Sequence, residues 1–377
     1  MTANFLPGPV SVSPEVRKAF CAPPVSHRAP AFLASMQRTR EALVSLANAV
    51  HVTLMVGSGT LANDAVAAQI RGIGGTGLVL SNGEFGERLV DHAQRWGLGF
   101  AAERQPWGQP FDWDQVRARA QRVRPGWIWA VLTETSTGVM NPLARLRSLA
   151  DQVGASLCLD AISAIGLMPV DLAGVRFATA VSGKGLAAYP GIAAVFHDGR
   201  LAATRAMPRY LDLATYQAAD CAPFTHSSNL LAALECALSS TCWPEKFERV
   251  VRHSIEMRSA LRVHGLTSLA HEEHAAPGII TLPLGGETRA AEIANALLDR
   301  GFEVAWRSSY LKERNWLQLA LMGEIEEDAV RRLPAALGNL LSHGSSASLA
   351  ATNARGQKQS RTSGTAGPLQ SPDGNLR

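Results

Sequence analysis

The chain has 377 residues, 46% of them hydrophobic and 18% charged, room for two domains or one large α/β domain with an appendage. Its net charge of +4 is small for this length, which argues against a nucleic-acid partner, and no apolar run is long enough to span a membrane. The five cysteines, at 21, 158, 221, 236 and 242, show no CxxC or paired spacing, so a reducing cytoplasm is favoured over a disulfide framework. Met1 to Pro9 has neither a charged n-region nor an uninterrupted apolar stretch, and a soluble cytoplasmic protein is expected.

Residues 1–15, with prolines and glycines clustered between Pro7 and Pro14, are expected to form an extended arm. From Pro30 to Val50, Phe32, Met36, Leu43 and Leu46 recur near helical spacing. His51 to Val56 is a short apolar strand, broken by Gly57-Ser58-Gly59-Thr60, and Leu61 to Ile70 resumes as an alanine-rich helix. That order leaves free backbone N–H groups at a helix start, where an anion can sit. Gly77 to Leu80 reads as a strand, followed by Asn82-Gly83-Glu84-Phe85-Gly86 and a helix to about Trp96. Trp127 to Leu132 is a strand ending in Thr133-Glu134-Thr135-Ser136-Thr137-Gly138, and Pro142 to Val153 is helical. Ala155 to Leu159 is a strand closing on Asp160, Phe177 to Val181 runs into Ser182-Gly183-Lys184-Gly185, and Gly191 to Phe196 is again a strand.

Strands alternating with helices predict an α/β fold with a largely parallel sheet, which places ligands at the strands' C-terminal ends. Ser58, Thr135, Asp160 and Lys184 all fall there. A second αβ series follows: helices at Asn229–Ser239 and Phe247–His264, a strand at Gly278–Leu282, a helix at Thr288–Arg300, a strand at Trp316–Leu321 and a helix at Glu324–Ser342. The expected organisation is an arm over 1–15, a large domain over 16–245, a smaller α/β domain over 246–342 and a tail over 343–377. The tail is Ser, Ala, Gly, Thr, Asn and Gln with scattered basic residues, too poor in apolar groups to offset the entropy of ordering, and is expected to be disordered.

Lys184 stands between glycines, where a buried neutral amine can form a Schiff base. Alone, Lys184 reads more readily as an exposed lysine in a glycine turn and Phe85 as core, and Asp160 reads equally as a helix cap. Together, a phosphate-holding turn, an aromatic after a glycine, an acid ending a strand and a lysine 24 residues later are the parts that pyridoxal phosphate needs.

The chain resembles the class V aminotransferases of pyridoxal-phosphate fold type I, and within them the alanine–glyoxylate and serine–pyruvate aminotransferases. The likeness runs from Leu6-Pro7-Gly8-Pro9 to about Gly323. It is carried by Ser26-His27-Arg28, Gly57-Ser58-Gly59-Thr60, Asn82-Gly83-Glu84-Phe85-Gly86-Glu87-Arg88, Glu134-Thr135-Ser136-Thr137-Gly138, Asp160-Ala161-Ile162-Ser163, Ser182-Gly183-Lys184, and Thr225 with Asn229.

The resemblance implies that Lys184 is the Schiff-base lysine and proton carrier, that Asp160 pairs with the pyridine nitrogen, and that Phe85 stacks on the ring. It further implies that Ser58, Gly59 and Thr60 hold the phosphate, with Thr225 reaching it from the partner subunit of a homodimer with shared active sites. Thr135 would contact the ring's phenolic oxygen or its surroundings, and Ser163 joins the same cofactor set. His27 and Arg28 would lie near the substrate entrance, although His27 reads equally as a solvated loop histidine.

Two positions depart from the family pattern. Gly183 stands where Gln or Asn usually precedes the lysine. Gln318, with Ala320 two residues on, stands where an arginine forks onto the substrate's α-carboxylate. The expectation is an aminotransferase acting on a small amino donor and an oxo acid or aldehyde, with an atypical substrate anchor. A lyase, racemase or epimerase of the same family is the alternative.

Overall fold

A computed structural model describes residues 2–201, 207–219, 222–285 and 288–342. The tail expected to be disordered, 343–377, lies outside the described residues. In chain order the elements begin β1 (Ala3–Phe5), α1 (Pro14–Phe20), α2 (Pro30–Ala47), β2 (His51–Val56), α3 (Gly59–Ile73), β3 (Gly77–Ser81), α4 (Glu84–Arg95), β4 (Phe100–Arg104), α5 (Trp113–Val123) and β5 (Trp127–Val131). A short hairpin of β6 (Thr133–Glu134) and β7 (Val139–Met140) precedes α6 (Leu143–Val153), β8 (Ser156–Asp160), β9 (Phe177–Val181) and β10 (Ile192–His197). Then come α7 (Leu213–Ala218), α8 (Ser228–Ser240), α9 (Trp243–Val263), β11 (Ile279–Pro283), α10 (Ala290–Leu298), β12 (Phe302–Val304), α11 (Ser309–Arg314), β13 (Trp316–Ala320) and a helix over 327–342.

Seven strands form the central sheet in the order β2-β10-β9-β8-β5-β3-β4. Only β10 runs against its neighbours, so β2 and β9 point the same way as the four parallel strands beyond them. The period of two explains how one strand feeds two cores. Leu78, Leu80, Ile128 and Ala130 face α2, α5, α6 and α8, while Val79, Trp127, Trp129 and Val131 face α3, α4 and α7. Covering both faces is why these strands read as unbroken apolar runs. It also gathers the C-terminal ends of β2, β5, β8 and β9 on one edge of the sheet.

The carboxy-terminal series builds a separate apolar cluster around the antiparallel pair β11–β13, with Met257, Leu261, Ile280, Leu319, Leu333 and Leu337 in it. The amino-terminal arm joins this cluster. β1 pairs in parallel with β12, and Phe5 is fully buried there. Helix α1 starts inside the span expected to be extended, with the Ser13 hydroxyl accepting the Val16 N–H at 3.2 Å. Two elements absent from the sequence reading bury few side chains. Helix α5 buries only Val116 and Ala120, and β4 is a half-buried edge strand ending in Glu103 and Arg104.

Candidate active site

Lys184 follows β9, and its backbone is fixed by close glycine packing. A Cβ on Gly185 would lie 2.5 Å from the Ile165 carbonyl oxygen, and one on Gly183 would meet Pro190 at 2.7 Å. The glycine after Lys184 therefore lets two backbones touch; only Gly183 lines a cavity. The Lys184 amine donates to Ser163 Oγ at 2.8 Å and lies 5.2 Å from the centre of the Phe85 ring. Burial pushes its pKa down to about 8, against the opposing pull of Asp160 and Glu134. The Thr135 hydroxyl donates to the same Ser163 oxygen.

Asp160 ends β8 with only 5% of its surface exposed. One oxygen accepts from Asn63 Nδ2 at 2.8 Å and the other from the Ile162 N–H at 3.0 Å. The Asn63 carbonyl in turn accepts from the Thr179 hydroxyl at 3.0 Å, which fixes the amide's orientation. Sequence reasoning missed Asn63; one helical turn after Gly59, it shares the face of α3 that looks at the sheet's edge.

Phe85 stands in the first turn of α4, held by a fully buried carboxylate. Glu134 accepts the N–H groups of Phe85 (3.3 Å), Gly86 (2.9 Å) and Ser136 (3.2 Å), and burial pushes its pKa up. A negative group on free N–H donors at a helix start is favoured by hydrogen bonding and by the helix dipole. A Cβ on Gly83 would sit 2.4 Å from Glu134 Cγ, so this contact needs glycine. Tyr310 meets the Phe85 ring edge-on at 6.4 Å, and the Arg88 guanidinium lies 4.9 Å from its centre.

Two adjoining cavities, of about 180 and 590 Å³, share Gly59, Phe85, Thr135, Val181 and Lys184. The smaller reaches Asp160, Asn63, Thr133 and Ser163, and the larger opens past Pro7, Gly8, Pro9, Ser58 and Tyr310. Ser58 caps α3 without a side-chain bond, and the first backbone bond of the helix is Ala62 N–H to Ser58 O at 3.2 Å. The N–H groups of Gly59, Thr60 and Leu61 thus have no helical partner. A Cβ on Gly59 would reach within 2.6 Å of the Ile162 terminal methyl, which a side chain here would have to push aside.

The residues expected on the substrate side, and Thr225 expected at the phosphate, do not gather here. His27, Arg28, Thr225 and Gln318 line neither cavity. His27 is buried with Nε2 unpartnered, and Arg28 and Thr225 are exposed. The 25–28 segment is tied to the start of α8 by the Val25 N–H on Ser228 Oγ at 2.8 Å. Gln318 is fully buried in β13; its Nε2 donates to the Thr135 carbonyl and, at 2.9 Å, to Thr281 Oγ1. Arg307 pairs with Glu303 at 4.0 Å, and Arg314 stacks on Trp107 at 3.7 Å, so neither arginine takes over an anchor's place in the cavities.

A family model described as Aminotransferase class-V matches residues 24–212, half of the chain. The chain belongs to the class-V aminotransferase family. It is 32% identical over 318 residues to a protein of Anabaena cylindrica named soluble hydrogenase 42 kDa subunit, covering 80% of this chain and 82% of that one. A 2-aminoethylphosphonate–pyruvate transaminase of Klebsiella pneumoniae is 25% identical over 369 residues, covering 90% and 98%. Among solved structures, an alanine–glyoxylate aminotransferase from Nostoc sp. is similar with a TM-score of 0.83 and 28% identity, over 90% of this chain and 95% of its own.

The fold is accordingly fold type I, and class-V aminotransferases depend on pyridoxal phosphate. The cavities suit that group. They combine an amine of lowered pKa, a buried carboxylate, an aromatic face, and free helix N–H groups beside a glycine cradle. Thr133 adds a buried hydroxyl with no partner in the smaller cavity. Among the described residues no helix is long and apolar enough to cross a membrane.

Proposed function

We propose that this class-V enzyme is an aminotransferase that takes an amino group from a small donor and passes it to an oxo acid or aldehyde. The observation that carries this is the convergence of Lys184, Asp160 and Phe85 on one pair of cavities beside the start of α3. Pyridoxal phosphate, when bound, supplies a carbonyl to receive the amine and a ring to accept electrons. Lys184 moves the proton at the donor's amine-bearing carbon, for which an amine with a pKa of about 8 is well matched to neutral solution. Asp160, oriented by Asn63, keeps a proton on the ring nitrogen, and Phe85 supports one ring face. Ser58, Gly59 and Thr60 hold the phosphate with backbone N–H groups. Ser163 accepts from the Lys184 amine, and Thr135 donates to that same oxygen and holds it in place.

The reading includes a donor whose α-carboxylate, if it has one, is not held by residue 318. Gln318 offers no charge and lines neither cavity, and the larger cavity has apolar walls at Pro7, Pro9, Val181, Pro190 and Tyr310. It also includes a cytoplasmic homodimer, in which Thr225 reaches the partner's phosphate site and His27 and Arg28 border its entrance. The division into a cofactor-binding domain over 16–245 and a small domain over 246–342 belongs to the same proposal, and the two apolar clusters support it.

The test is to mix purified holoenzyme with a panel of amines and amino acids and follow the cofactor's absorbance. Amines without an α-carboxylate should convert it fastest, and an oxo acid or aldehyde should restore it. Efficient conversion by alanine or serine would remove the proposed donor class. Product formation with no amine passed to any acceptor would favour a lyase, racemase or epimerase instead.

A further inference from the structure

Gln318 sits 0% exposed in the small carboxy-terminal sheet, yet its side chain reaches the loop that carries Thr135. Its backbone is fixed on both sides. Register pairs it with Thr281, and it exchanges bonds with Ala305, N–H to O at 2.9 Å and O to N–H at 3.0 Å. Thr135 and Ser136 lie in the tip of the β6–β7 hairpin, and among the described residues no backbone N–H donates to either carbonyl. The carboxamide of Gln318 fills that gap. Nε2 donates to the Thr135 carbonyl, to the Ser136 carbonyl at 3.4 Å and to Thr281 Oγ1 at 2.9 Å, while the Thr281 hydroxyl donates to the Ser136 carbonyl at 3.1 Å. Buried carbonyls left unpaired are costly, so the loop's position is tied to this amide.

We infer that Gln318 is a positioning residue of the amine site, acting from the small sheet through the Thr135 backbone on the hydroxyl pair Thr135–Ser163 that holds the Lys184 amine. The chain of contacts is continuous: Gln318 to the Thr135 carbonyl, the Thr135 hydroxyl to Ser163 Oγ, and the Lys184 amine to the same Ser163 oxygen at 2.8 Å. The same amide accounts for why residue 318 touches no ligand cavity: its donors are already engaged inside the protein. The inference rests on Lys184 being the working amine, as proposed above. It adds that packing of the carboxy-terminal sheet contributes to that amine's proton affinity, alongside burial and the nearby carboxylates.

Gln318→Met keeps the volume and removes the donors. In full-length protein stripped of cofactor, competitive acetylation followed by peptide mass spectrometry reads the titration of Lys184 directly. An ammonium that loses its aligned acceptor becomes more acidic, so the midpoint should fall by about half a unit or more. Ser163→Ala should lower it in the same direction, and the double variant should fall no further than Ser163→Ala alone. A loss of thermal stability in Gln318→Met with an unmoved or raised midpoint would overturn the inference and leave Gln318 a purely structural residue. If Gln318→Met does not fold, Thr281→Val removes one partner of the same amide; a smaller fall supports the relay and an unchanged midpoint rejects it. Borohydride reduction of holoenzyme, with mapping of the pyridoxyl group, separates the two readings. Labelling at Lys184 with no midpoint shift sinks only the relay, and labelling elsewhere sinks the assignment of Lys184.

Discussion

The two sides of the cavity pair were assembled in different ways. On the cofactor side, Asp160, Thr135, Ser163 and Lys184 sit at or just past ends of central strands whose register is fixed by two buried faces. Every one of these side chains has a partner within the same chain, and the cavity is formed without help. On the other side, Thr225, expected at a partner's phosphate, and His27 and Arg28, expected at the substrate entrance, lie on loops near α8, and Gln318 has turned inward to serve a backbone loop. A sheet edge specifies one half of the site within one chain. The other half, in the proposed reading, is left to loops, to the arm and to a second copy of the chain.

The sharpest way to break that contrast is to remove the amine. Lys184→Ala should lower turnover on the order of 10⁴-fold or more, since the proposed covalent attachment and proton carrier are both lost. It should keep non-covalent cofactor binding, because the start of α3 is untouched. A variant retaining a tenth of wild-type turnover would move the working amine elsewhere. Next in size is Asp160→Ala, which leaves the Asn63 amide and the Ile162 N–H facing an empty position. Loss of a charged, hydrogen-bonded contact costs about 1.5–3 kcal/mol, so cofactor affinity should fall roughly ten- to a hundredfold. Equilibrium titration of apoprotein with pyridoxal phosphate measures it, and an unchanged affinity would count against the ring-nitrogen role.

The proposed sharing of sites between two chains is probed by mixing inactive subunits. In a dimer of one Lys184→Ala and one Thr225→Ala chain, shared sites put both lesions in one site and leave the other whole. Such mixed dimers should recover about half of the wild-type activity per dimer. No gain over either parent would confine each site to a single chain.

Legibility in the sequence follows the same divide. The strand–turn–helix at 51–73, the acid ending β8 and the lysine after β9 were readable because each is a short local pattern at a strand end. Asn63, Glu134 as a holder of Phe85, and Tyr310 were not, because their partners lie 97, 49 and more than 200 residues away in the chain. Gln318 was visible as a departure, but its inward turn depends on the unpaired carbonyls of a hairpin tip 183 residues earlier, which no local pattern announces. The pairing of β1 with β12 is of the same kind: a three-residue strand becomes one only when its distant partner is beside it.

The smallest expected effect comes from the second buried amine, and it separates reactivity from lowered basicity. Lys246 in α9 is 2% exposed, and its amine donates to the carbonyl of Gly185, the residue after Lys184, at 2.5 Å. Burial pushes its pKa down to about 8, against the pull of Glu324, so by basicity alone it matches Lys184. It lines neither of the cavities that Lys184 lines, and borohydride should leave it unlabelled. Its titration should instead appear in stability. The unfolded chain holds this proton up to roughly pH 10.4 and the folded chain only to about 8, so unfolding takes up a proton within that window. Stability contributed by this group therefore rises from pH 8 towards 10, by at most about 1.4 kcal/mol per unit, and the cost of burying the charge is present in full below pH 8. Cys158 pulls the other way, because burial pushes its thiol up and only the unfolded chain loses that proton in this range, so Lys246 is read from the difference in slope between holoenzyme and its Lys246→Met variant. Lys246→Met should lower the slope of urea-unfolding free energy against pH across that range while leaving turnover near wild type, because the lost bond to Gly185 is offset by relief of a buried charge. An unaltered slope would assign the titration to other groups. A collapse of turnover would mean that the Gly185 carbonyl, held by Lys246, helps to place the working lysine beside it.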